Sequence, residues 1–172
     1  MIKKKYELTD ETIKVDRITL YRIRALKDFG DVKKGDLGGW VESERNLSHD
    51  DNCWVGGEAW VYENAKVYDN AKVRGNAKVR GNAGVEYNAQ IFGNAQIYDN
   101  AHVYGLVYDN ARVFGKAVIC KNAHISGDIR IQDKVYVFDN IDISGNFEIR
   151  GETSIISKSE YSTIYPSYIS RF

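Results

Sequence analysis

From Val55 onward an aliphatic residue returns every six positions, in units that read VGGEAW, VYENAK, VYDNAK, VRGNAK, VRGNAG, VEYNAQ, IFGNAQ and IYDNAH. Self-similarity at a short fixed period marks a stacked-repeat architecture, since one such unit buries nothing alone and gains a core only from its neighbours. Within a unit, Ala-x-Val-x alternates small, polar, aliphatic and variable, the pattern of a short strand with alanine and valine on one side. Gly-Asn or Asp-Asn follows as a turn. Gly and Asn tolerate positive φ, so each hexad ends in a sharp corner. Three hexads then close a triangular coil whose strands pair in parallel with those one coil away. The aliphatic residue and the alanine point into the prism, and their flanking residues face out.

The phase extends in both directions. Upstream, Val41 and Leu47 are six apart, and Asn52-Cys53-Trp54-Val55 reads as a turn and strand, which puts the first coil near Trp40. Downstream, the aliphatic positions run through Ile119, Ile125, Ile131, Val137, Ile143, Ile149 and Ile155 while asparagine and alanine thin out, as suits a terminal capping coil. About eighteen hexads, three per coil, make about six coils, or roughly 30 Å of prism at about 4.8 Å each. One unit is short, because Val107 follows Val103 without the expected Asn-Ala. This is either a tight corner absorbed by the scaffold or a notch next to His102 that admits a ligand or a neighbouring subunit.

Residues 1–40 do not repeat. KYEL, ETIKV and RITLYRIRALKDF alternate apolar and polar positions around an Asp16-Arg17 turn, which predicts a short antiparallel hairpin. An open solenoid end exposes core and unpaired strand edge, so a cap is physically required there. The expected organisation is a cap at 1–40, a β-helix at 41–156 and a tail at 157–172. The tail is polar and tyrosine-rich, and its Pro166 argues against a central strand or a helix.

Composition narrows the function classes. Lys plus Arg number 24 and Asp plus Glu number 24, so no global field draws the chain to nucleic acid or an anionic membrane. No apolar run approaches the roughly 20 residues that span a bilayer, and the expected location is the cytoplasm. Cys53 and Cys120 lack zinc spacing and are expected as free thiols, with no metal site.

Counting eighteen residues at a time assigns outward side chains to faces. Tyr62, Arg80, Tyr98 and Phe114 share one, Arg74, Phe92 and Tyr108 a second, and Tyr68, Glu86, Tyr104, Cys120 and Phe138 a third. Such aromatics stabilise their own ladder, and Tyr62, Tyr98, Phe114, Phe92 and Tyr108 are also the candidate contacts for an oligomer or a partner. Lys66, Lys72, Arg74, Lys78 and Arg80 crowd into little more than one coil. Charges there are usually only solvated, yet Lys72, Arg74, Lys78 and Arg80 could hold a phosphate-bearing ligand. The recurring asparagines from Asn64 to Asn110 are corner residues expected to bond along the stack.

The unit [Val/Ile]-x-[Gly/Asp]-Asn-Ala-x resembles the hexapeptide repeat of left-handed β-helix proteins. That resemblance implies an all-β, single-stranded left-handed parallel β-helix, a triangular prism with a short N-terminal β cap and a C-terminal tail. The opening pattern, from YELT through LYRIRALKDFGDV to GGWVESERNLS, resembles bacterial and phage-encoded acetyltransferase-like proteins. The resemblance implies a three-fold homo-oligomer and, in the acyltransferases of the class, acyl-CoA held between subunits with a histidine as general base. His102 and His124 are the candidates, with His49 in the irregular entry segment; no Asp or Glu stands in sequence as an obvious orienter. Phage-encoded relatives further imply a host protein as partner and the host cytoplasm as location. The reading favoured by the residues is a non-catalytic scaffold or binding protein needing no cofactor; the alternative is an acetyl-CoA-dependent acetyltransferase.

Overall fold

The computed structural model describes residues 4–138, 140–155 and 169–171, and it is a β-solenoid of about six turns. Strands of mostly two residues, such as Lys72–Val73, Lys78–Val79 and Gly84–Val85, follow one another at six-residue spacing and distribute in turn over three sheets. Each pairs in parallel with the strand one coil on: Trp54 faces Lys72, Trp60 faces Lys78, and Lys66 faces Gly84. The backbone ladder continues through the corners, as where the Lys72 amide donates to the Ala89 carbonyl at 2.9 Å and Arg74 to Ile91 at 2.8 Å.

A single column of side chains fills the prism. Val61, Val73, Val79, Ile91, Ile97 and Val113 are fully buried, as are the alanines Ala65, Ala71, Ala77, Ala89 and Ala95. In the last coils the alanine slot is taken by Ile129, Val135 and Ile141, all buried. Strands there lengthen to four residues, as in His124–Gly127 and Lys134–Val137.

The corners divide their labour differently from the expectation that Gly and Asn would share positive φ. In most units the left-handed residue is the one before the asparagine: Asp69, Asp99 and Asp109 near +57°, and Gly75, Gly81 and Gly93 near +68°. Asparagine instead ladders along the axis. Asn64 donates to Asn82 at 3.0 Å and Asn82 to Asn100 at 3.1 Å, while Asn76, Asn94, Asn110 and Asp128 form a second chain. One column of left-handed corners alternates acid and glycine: Glu63, Gly81, Asp99, Gly115, Asp133, Gly151. Each carboxylate accepts the amide of the glycine one coil on, at 2.6, 3.2 and 3.0 Å in order. A Cβ on Gly81 would lie 2.8 Å from the Asp99 backbone, and one on Gly115 would lie 2.6 Å from that of Asp133.

The short unit keeps the register and loses only the corner. Gln90 faces Leu106 and Ile91 faces Val107, an offset of sixteen residues in place of eighteen. The inward Val103 and Val107 stay fully buried, while Leu106 is half-buried.

The N-terminal hairpin is β1 (Tyr6–Val15) and β2 (Ile18–Ala25), antiparallel, with Asp16 at φ 54 in the turn. Its partner β3 (Leu37–Val41) pairs antiparallel with β2 on one side and parallel with Trp60–Val61 on the other, so cap and prism share one sheet. Gly39 permits that junction, since a Cβ there would sit 2.5 Å from the Ala59 carbonyl oxygen. Beneath the hairpin, Tyr6 is buried with its hydroxyl donating to the Leu47 carbonyl at 2.8 Å. Lys5 is fully buried too. Its ammonium donates to the Asp50 carbonyl at 2.9 Å and meets Cys53 Sγ at 3.1 Å. Burial pushes the Lys5 pKa down and the Cys53 thiol up. Among the described residues, no disulfide joins Cys53 or Cys120. At the far end, Ile169–Arg171 pairs antiparallel with Phe147–Ile149 and closes the same sheet. The expectations for Ile156 and Pro166 fall outside the described residues. Among those residues, no helix is long and apolar enough to cross a membrane.

Candidate functional site

Stacking puts like positions of successive coils in register, which converts the outward aromatics into ladders. On the sheet that carries the cap, the Arg80 guanidinium lies 4.5 Å over the Tyr98 ring, and Tyr98 stacks on Phe114 at 4.6 Å and 8°. On a second sheet Phe92 stacks on Tyr108 at 5.0 Å and 12°. All four rings are half-buried within the chain itself. Each such pair adds about 0.5–1.5 kcal/mol beyond the area it buries. The two ladders stand at the same height, because Phe92 and Tyr98 share one coil, as do Tyr108 and Phe114. Tyr62 does not join them as an accessible contact. It is only 8% exposed, covered with Trp40 by Leu20 of the hairpin, a consequence of the cap folding back over that face.

The basic residues separate. Lys72 and Arg74 share one strand edge and are both taken by Asp31 of the cap, Arg74 at 2.6 Å. The Lys72 hydrogen bond, with Arg74 adding its charge, holds the Asp31 carboxyl down to about 2. Lys78 and Arg80 belong to another sheet, with Lys78 Nζ 4.0 Å over Trp60. Lys66 is on the third. The structure therefore does not gather Lys72, Arg74, Lys78 and Arg80 around one point; the six-residue step turns each successive pair to a new face.

The histidines acquire the orienting carboxylates that reading along the chain did not supply. His102 sits above Gly84, whose missing side chain leaves room for the ring, and its Nδ1 is 3.2 Å from Glu86 Oε1. The Glu86 side chain is 13% exposed and also accepts a hydrogen bond from Tyr68, whose pKa is raised by burial first and by that bond second. A carboxylate only accepts, so it selects the tautomer with hydrogen on Nδ1 and leaves the Nε2 lone pair outward. A hollow of about 280 Å³ lined by Lys66, Tyr68, Asn82 and Gly84 adjoins that ring. His124 Nδ1 is 2.9 Å from Asp142 Oδ1. It is His124, and not His102, that lines the notch at the shortened unit. The missed signal was the stacking offset: Asp142 is eighteen residues after His124, and Glu86 lies two residues beyond Gly84, which faces His102 at eighteen. His49 packs under the cap, its ring 4.3 Å from that of Tyr6.

No family model matches the chain. A local stretch of 38 residues, 22% of the chain, is 42% identical to the uncharacterized acetyltransferase YdcK of Escherichia coli (strain K12). The matched stretch spans 12% of that relative's length. Together with the parallel solenoid, this similarity supports kinship with hexapeptide-repeat, acetyltransferase-like proteins.

Proposed function

We propose that the chain is a non-catalytic β-solenoid scaffold that assembles side by side with copies of itself and presents its remaining faces to a partner. The observation that carries this reading is the placement of two aromatic ladders, Tyr98–Phe114 and Phe92–Tyr108, on different faces at one height. A cyclic trimer whose axis runs along the prism needs two unlike patches per subunit at the same level, each meeting the other on a neighbour. Half-buried rings on a rigid parallel surface supply them, with little side-chain entropy left to lose on association. The partner of the assembled scaffold, on the resemblance to phage-encoded chains, is a host protein or an anionic ligand in the cytoplasm. The test is oxidative cross-linking of a Phe92→Cys/Tyr98→Cys double variant in a Cys120→Ser background. Covalent trimers from the double variant, and none from either single variant, support the heterologous contact. Monomers throughout, or dimers from a single variant, contradict it.

A second reading, acetyl transfer from acetyl-CoA, is favoured by His102 held by Glu86 beside a hollow that Lys66 borders. There His102 Nε2 would take the acceptor's proton and Glu86 would steady the resulting imidazolium. Calorimetric titration with acetyl-CoA decides it: saturable heat lost in His102→Ala favours transfer, and no heat in either protein leaves the scaffold.

A further inference from the structure

The missing residues between Val103 and Val107 fall in a column of corners where Asn52, Asn70 and Asn88 recur at eighteen-residue intervals and the next is Asn122. The deletion takes out the asparagine that would stand between Asn88 and Asn122, so a polar rung is absent from one corner. The shortened coil is also drawn inward. A Cβ on Gly105 would lie 2.5 Å from the carbonyl oxygens of Cys120 and Ala123. What remains is a cavity of about 220 Å³.

Its walls are dominated by groups that donate hydrogen bonds. Lys121 stands at the rim with its ammonium 3.9 Å over the Tyr87 ring. The Tyr104 hydroxyl is kept protonated by burial and the nearby Glu86 charge. Asn88 and Gln90 bring amide donors, and Leu106 gives a small apolar wall. His124 has Nδ1 committed to Asp142, which leaves its Nε2 for a ligand and engages the neighbouring carboxylate. One cation at the rim, several neutral donors and an apolar wall complement an oxyanion on a short body.

We propose that this corner is a binding site for a small organic anion, a carboxylate or a phosphate monoester, with Lys121 as its charge partner and Leu106 and Tyr104 against its body. The site rests on the deletion alone and is independent of whether the aromatic faces assemble the chain.

The experiment follows the amides of Gly105 and Leu106 and the imidazole of His124 by NMR in separate titrations with acetate and inorganic phosphate. Saturable shifts confined to this corner are expected, and the anion that produces them separates a carboxylate ligand from a phosphate ester. Lys121→Ala, an exposed change, weakens binding by about tenfold or more, the loss of one charge-assisted bond. Inserting Asn-Ala between Gly105 and Leu106 restores the hexad, refills the corner and removes the shifts. Absence of saturable shifts with both anions overturns the site, as does undiminished affinity in either variant. If the insertion variant does not fold, Lys121→Ala decides alone.

Discussion

Replacing Gly81 by alanine tests how closely successive coils touch. Gly81 has φ +71°, and the added Cβ would lie 2.8 Å from both the amide nitrogen and the carbonyl oxygen of Asp99 one coil away. Two costs add. A left-handed backbone carries about 1–2 kcal/mol for a residue with a Cβ, partly offset by the roughly 0.4–1 kcal/mol by which alanine restricts the unfolded chain. Pushing a methyl into packed backbone adds about 1–3 kcal/mol, because the Asp99 corner is held by its own ladder and cannot yield alone. The sum is about 1–4.5 kcal/mol, or a melting shift of roughly 3–13 °C for a chain of this size. Gly35→Ala is the control, since Gly35 has φ +95° with nothing within 4 Å of its Cβ position, and it carries only the first cost. Thermal melts followed by far-ultraviolet circular dichroism would compare the two. Equal losses in both variants would refute the inter-coil contact and the acid-glycine alternation built on it.

Three further outcomes follow from the same geometry. Val79→Asp places a carboxylate at a fully buried position of the stack and should abolish cooperative melting, at a cost of several kcal/mol; a soluble variant that melts cooperatively would refute the inward assignment. Arg80→Ala, by contrast, removes only a stacked cation from Tyr98 and should cost about 0.5–1 kcal/mol or less, so a large drop in melting temperature would show that the cation is structural. Asp31 has a depressed folded-state pKa of about 2, so its contribution is complete above the ordinary aspartate value near 4 and is lost as pH falls toward 2. Asp31→Asn should therefore melt slightly below the parent at pH 7, by about 1 kcal/mol or less for so exposed a pair, and converge with it near pH 2; a gap that persists in acid would contradict the assignment.

Much of the architecture was legible because a six-residue recurrence leaves few alternatives. Val73, Val79 and Ala77 could be placed inside the prism, and Arg80, Tyr98 and Phe114 on one face, by counting alone. The hairpin around Asp16 was equally readable from alternation. What stayed hidden depends on contacts that the period does not carry. Tyr62 counted as outward, and it is, but the cap folds back over it. Lys5 gave no sign of burial, because its partners are carbonyls of residues 50 and 51, a place set by how the cap seats on the entry segment. The basic residues looked like one belt in sequence, although each six-residue step carries the chain to another face. Glu86 could have been found beside His102 only by looking diagonally, two residues past the Gly84 that the eighteen-residue count sets opposite the histidine.

The measurement closest to the central claim is the molar mass of the purified chain by light scattering, taken with a Phe92→Glu variant and a Phe114→Glu variant. The account predicts three chain masses for the parent and one for each variant, with both variants melting cooperatively. A parent that scatters as a single chain at every concentration would contradict it, as would variants that keep the trimeric mass.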